Sequence, residues 1–246
     1  MLLGNKGLLM FLSSDILDSL TLLRPWPKIS MQPYRSKQVE KTIHFQSGNL
    51  NLVGLYREIS DTHGAVITHP HPLYGGDMNN PVVESTTKVF WQQSISTLRF
   101  NFRGVGNSEG SFDNGQGEQK DVAAAIQFLI DSGVTTIYLA GYSFGSWALA
   151  QMKELPAEVQ GMLFISPPIA MMPLAPSHKL PLLQFVVTGD EDEIAPPHLI
   201  EKEIGDWNPN ALFQRIDFSD HFFFGYFQHL EAVLSTFIAK NWRLDP

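Results

Sequence analysis

Three residue types, in one order along the chain, have the makings of a reactive site: Ser143, a carboxylate from the run Asp190-Glu191-Asp192-Glu193, and His221. A serine hydroxyl is a weak nucleophile at neutral pH. It needs a base to take its proton and a further group to orient that base. An imidazole held by a carboxylate meets both needs, and the chemistry that follows is acyl transfer through the serine. Ser143 stands in Gly141-Tyr142-Ser143-Phe144-Gly145. Glycines two residues to either side remove the Cβ atoms that would collide at a sharp strand-to-helix turn. The same spacing recurs at Gly106-Asn107-Ser108-Glu109-Gly110, but that copy runs into Ser111-Phe112-Asp113-Asn114-Gly115, which is turn chemistry rather than a helix start. Ser143 is the expected nucleophile, and Ser108 is not.

The elements that position these groups show in the apolar periodicity. Residues 135–140 are short, β-branched and apolar, as a buried strand should be. Trp147, Ala148, Leu149, Met152 and Leu155 then recur at helical spacing until Pro156. Two antiparallel strands are expected at 41–45 and 50–57, and further strands at 65–68, 97–102, 161–165, 182–188 and 211–216. Helical patterns fall at 82–95, 119–129, 198–204 and 227–242. This alternation predicts an α/β fold with a mostly parallel sheet covered by helices on both faces. The carboxylate run follows a strand end, and His221 lies between the last strand and the last helix. Functional groups of open α/β sheets collect at that edge.

With those residues in place the chain resembles the α/β-hydrolase superfamily. Within it, the chain is similar to small bacterial serine hydrolases that carry His-Pro-His-Pro-Leu-Tyr-Gly-Gly after the third strand, here residues 69–76. The stretch from Asn101 to Ser108 and the Gly189-x-x-Asp192 turn belong to the same likeness, which covers roughly residues 40 to 240. The resemblance implies an α/β-hydrolase fold and a Ser143–Asp192–His221 triad, the acid standing at the fourth position of Gly-x-x-Asp. It also implies an oxyanion hole built from the Phe144 amide and one amide of the 69–76 loop. Pro70 and Pro72 have no N–H, which leaves His71, Leu73 and Tyr74. Leu73 is the expected donor, with Tyr74 next.

Hydrolases of this plan often insert a lid between Ser166 and Leu180, but the stretch here is too short for one. Its Met171 and Met172, with Tyr74 and Trp147, are expected to line an open, shallow acyl pocket that prefers short acyl groups. Phe222-Phe223-Phe224 suits core and pocket wall. His69 and His71 suit loop-shaping rather than a metal pair, and Arg103 suits a structural ion pair with a carboxylate such as Glu109 or Asp121. No metal or other cofactor is expected.

At 246 residues and 43% apolar content the chain suits one α/β domain over residues 38–246, with an N-terminal extension over 1–37. A net charge of −8 disfavours nucleic acid as a partner. With no cysteine, thiol nucleophiles, disulfides and Cys-ligated metals are excluded. The apolar run Leu8-Leu9-Met10-Phe11-Leu12 is too short to span a bilayer and, with Asp15 and Asp18 close behind, unlike a signal peptide. A cytoplasmic serine hydrolase acting on a small ester or thioester of short acyl chain is the expectation. The alternatives are an acyl-aminoacyl peptidase-like hydrolase and a non-enzymatic interaction protein on the same fold.

Overall fold

The structure is a computed structural model that describes residues 39–174 and 179–242. The extension expected over 1–37 lies outside the described residues. The hairpin of β1 (Lys41–Ser47) and β2 (Leu50–Arg57) opens the domain, followed by β3 (His63–Thr68), α1 (Pro81–Gln92) and β4 (Ser96–Phe100). Then come α2 (Gln116–Asp131), β5 (Thr136–Tyr142), α3 (Phe144–Ala150) and β6 (Val159–Ile165). The chain closes with β7 (Leu183–Gly189), α4 (Pro197–Trp207), β8 (Leu212–Ile216) and α5 (Phe227–Asn241).

Two helices are shorter than their apolar spacing predicts. α1 stops at Gln92 because Ser94 takes a left-handed φ of 58° and turns the chain toward β4. α3 stops at Ala150, yet Met152 and Leu155 still pack against the core from irregular chain. Spacing reported which side chains are buried there, not how far the helix runs.

The eight strands form one sheet in the order β1-β2-β4-β3-β5-β6-β7-β8. The β1–β2 and β2–β4 pairs are antiparallel, and every other pairing is parallel. Successive residues of β5 feed opposite faces. Ile137 and Leu139 join the core on the side of α2, α3 and α4, while Tyr138 and Ala140 join the core on the side of α1 and α5. Burial on both faces explains the near-continuous apolar runs of the parallel strands. From β3 the chain crosses to β4 on one side and then returns to β5 on the other. The loops after β3 and β5 therefore diverge, and such a switch point leaves a crevice at the strand ends.

Candidate active site

Ser143 sits in that crevice, at the junction of β5 and α3, with φ 52° and ψ −119°. A non-glycine residue held there stores on the order of 1–3 kcal/mol of strain. The surroundings enforce it by close packing. A Cβ on Gly141 would lie 2.5 Å from the Ser146 amide nitrogen, and one on Gly145 would lie 2.5 Å from Thr68 Oγ1. Only glycine lets the turn close this tightly against its own helix and against β3.

His221, on the loop between β8 and α5, places Nε2 2.9 Å from Ser143 Oγ. Its Nδ1 lies 2.9 Å and 3.0 Å from the two oxygens of Asp192, which follows β7. An ionised carboxylate only accepts, so Nδ1 carries the proton and Nε2 is free to accept from the serine hydroxyl. Asp192 Oδ1 also accepts the N–H groups of Ile194 at 2.9 Å and Ala195 at 2.7 Å, and Thr188 Oγ1 lies 3.0 Å from Oδ2. Burial pushes the Asp192 carboxyl up, but its bonds to His221 and the Ala195 amide outweigh that, and its pKa stays below the ordinary value. Of the neighbouring acids, Asp190 faces Arg215 at 3.5 Å.

Tyr142 was not singled out in the sequence. Its hydroxyl donates to the His221 carbonyl at 3.0 Å, and its ring lies 5.5 Å from the imidazole. Burial raises its pKa, with Asp192 and Asp220 adding to the effect, so it remains a donor. An aromatic residue ending a buried strand directly before the serine was the available signal.

The loop after β3 corrects one expectation. Pro72–Tyr74 form a single 3₁₀ turn capped by His71, whose Nδ1 accepts the Leu73 N–H at 3.2 Å. The His71 carbonyl accepts the N–H groups of Tyr74 and Gly76, each at 3.1 Å. The Leu73 and Tyr74 amides are thus consumed by the turn and are not available to a ligand. Among the described residues neither the His71 nor the Phe144 N–H has a protein acceptor, and both residues line the crevice with their rings 4.9 Å apart.

His69 anchors this loop. It is fully buried, its Nδ1 donates to the Pro70 carbonyl at 2.6 Å, and its Nε2 accepts the Phe102 N–H at 3.1 Å. Both bonds require the neutral ring, and desolvation lowers its pKa to about 4. The ring of His71 is also pushed down by desolvation. Arg103 completes the scaffold, giving Nε and Nη2 to the buried carboxylate of Asp121 at 3.0 and 2.7 Å. Ser108 has a structural task, accepting the Val53 N–H at 3.0 Å and donating to the Asn101 carbonyl at 2.7 Å.

Ser143 opens onto a cavity of about 670 Å³. Tyr74, Met171 and Met172 line it, together with Phe222, Pro168 and Ile194. Trp147 does not. It stacks on Phe144 at 5.8 Å and lies against Gly115, where any side chain would run into its ring. Helical spacing put Trp147 one turn beyond the serine, but that turn faces α2, so Trp147 is packing rather than pocket. Among the described residues no group of three or more His, Asp or Glu side chains is placed to hold a metal ion. Among the same residues no helix is long and apolar enough to cross a membrane.

Sheet order, short β6–β7 connection and the serine turn together define an α/β-hydrolase fold. The chain belongs to the α/β serine hydrolases. It is 30% identical to an α/β serine hydrolase homologue from Coxiella burnetii, covering 80% of this chain and 97% of that one with a TM-score of 0.73. It is 26% identical to XC6422 of Xanthomonas campestris, described as an α/β serine hydrolase without lid, over 85% of this chain and 97% of that one, with a TM-score of 0.75. The uncharacterized protein RP471 of Rickettsia prowazekii is 33% identical over 196 residues, 74% of this chain and 81% of the relative. No family model matches the chain.

Proposed function

We propose that the protein hydrolyses a carboxylic ester or thioester through an acyl-enzyme on Ser143. The observation that carries this reading is the relay from Ser143 Oγ through His221 to Asp192, with each contact at 2.9–3.0 Å. In this reading His221 Nε2 takes the hydroxyl proton as Oγ attacks the acyl carbon. Asp192 stabilises the imidazolium that forms. The N–H groups of Phe144 and His71 receive the developing oxyanion, His71 standing in place of the Leu73 donor expected from sequence. Collapse of the tetrahedral adduct breaks the bond to the leaving group, which takes its proton from His221. Water, activated by the same Nε2, then releases the acid and restores Ser143.

The complete relay favours an enzyme over an interaction protein on a retained fold. The connection from β6 to β7 spans only residues 166–182, too short for an inserted lid domain. A fluorophosphonate probe tests the reading. The parent should label, and Ser143→Ala and His221→Ala should not. A well-folded parent that stays unlabelled and turns over no ester would sink it.

A further inference from the structure

The cavity walls carry more information than the relay does. They come from Tyr74, Pro168, Met171, Met172, Ile194 and Phe222, and among the described residues no Lys, Arg, Asp or Glu lines the cavity. Of the lining groups, Tyr142 feels the negative charge of Asp192 and Asp220. An anionic group brought among these apolar walls, away from the Phe144 and His71 amides, would therefore lose its hydration and find no Lys or Arg to pair with.

Size sets the second limit. At about 30 Å³ for each water-sized unit, a volume of about 670 Å³ holds on the order of twenty non-hydrogen atoms. An acetyl or butyryl group would leave most of that space unfilled. The apolar wall also continues past the mouth, because Tyr74, Met171 and Phe222 line the cavity while remaining 79%, 62% and 50% exposed. A chain that outgrows the cavity still lies along apolar surface.

We propose that the substrate is an ester of an uncharged, medium-length acyl chain, on the order of eight carbons once roughly half of those twenty atoms are given to the ester and its leaving group. The proposal rests on the hydrolase reading above, and it replaces the short-acyl preference that a shallow pocket would give. Each methylene taken from water into such a wall contributes a factor of about two to four in binding. Transition-state binding grows with chain length to that extent, until the wall ends.

The test compares kcat/KM for 4-nitrophenyl acetate, butyrate and octanoate, and for the mono-4-nitrophenyl ester of octanedioic acid. The last compound matches the octanoate in length but ends in a carboxylate. The octanoate should exceed the butyrate by about tenfold or more, and the carboxylate-ended ester should fall below the octanoate by a similar factor. Met171→Lys, at an exposed rim position, should narrow that second gap at least about threefold by supplying the missing cation. Octanoate no better than butyrate, or a carboxylate-ended ester equal to octanoate, overturns the proposal while leaving the hydrolase reading intact. Absence of Ser143-dependent turnover on every ester overturns both.

Discussion

At Asp192, two backbone amides, the Thr188 hydroxyl and the His221 Nδ1 proton surround the two carboxylate oxygens. That arrangement makes the charge of Asp192 matter more than its shape. Asp192→Asn keeps an oxygen for the Ile194 and Ala195 amides but turns an NH₂ toward His221. Nδ1 must then accept, the proton moves to Nε2, and the ring can no longer take the proton of Ser143. Turnover of a 4-nitrophenyl ester should drop about 10³–10⁴-fold with the melting temperature nearly unchanged. A loss smaller than tenfold would remove Asp192 from its proposed role. That Ser143, Asp192 and His221 would meet was legible because their order and their turn signals are properties of the chain itself. The actual partner of the Leu73 amide was not, since it depends on where the His71 ring points. That orientation is set by contacts with Phe112 and Phe144 far along the sequence.

α3 approaches β3 so closely that Gly145 touches Thr68, and this contact fixes the height of Ser143 above the sheet edge. Gly145→Ala forces the helix back from a Cβ otherwise 2.5 Å from Thr68 Oγ1 and 2.6 Å from the Thr68 carbonyl oxygen. Overpacking of this kind costs about 1–3 kcal/mol. The helix start should shift with it, so activity should fall further than stability alone explains. Gly205→Ala is the matched control on α4, where the added Cβ meets nothing within 4 Å. It should gain roughly 0.5–1 kcal/mol from helix propensity. Urea midpoints of the two variants should move in opposite directions; movement in the same direction would refute the packing account. The strand–serine–helix unit was readable because its glycines and apolar spacing are local. The placement of Trp147 against Gly115 was not, because it depends on where the start of α2 packs.

Across the whole molecule, His69 joins the loop after β3 to the chain leaving β4, and it does so only as a neutral ring. The alternation of strands and helices was legible from periodicity, but the strand order that brings residues 69 and 102 together was not. That order arises from the crossover at the switch point, which no local pattern encodes. The buried ring ties stability to pH in a definite direction. In the unfolded chain His69 takes up a proton near pH 6.5, whereas in the folded protein burial holds its pKa at about 4. Between those values the unfolded state binds more protons, so stability falls as pH falls from 6.5 toward 4 and is fully present above 6.5. The size of this contribution is on the order of 3 kcal/mol. His69→Gln offers an oxygen that can accept the Phe102 N–H in place of Nε2 but cannot titrate. Urea unfolding at pH 7.5 and pH 4.5 should show the parent losing about 2–3 kcal/mol more than the variant across that interval. Because the same ring holds the loop that carries the His71 amide, acidification should also cost the parent more ester turnover than the variant. Parallel stability curves for parent and variant would mean that His69 is solvated or charged in the folded protein, and that the loop is held by other contacts.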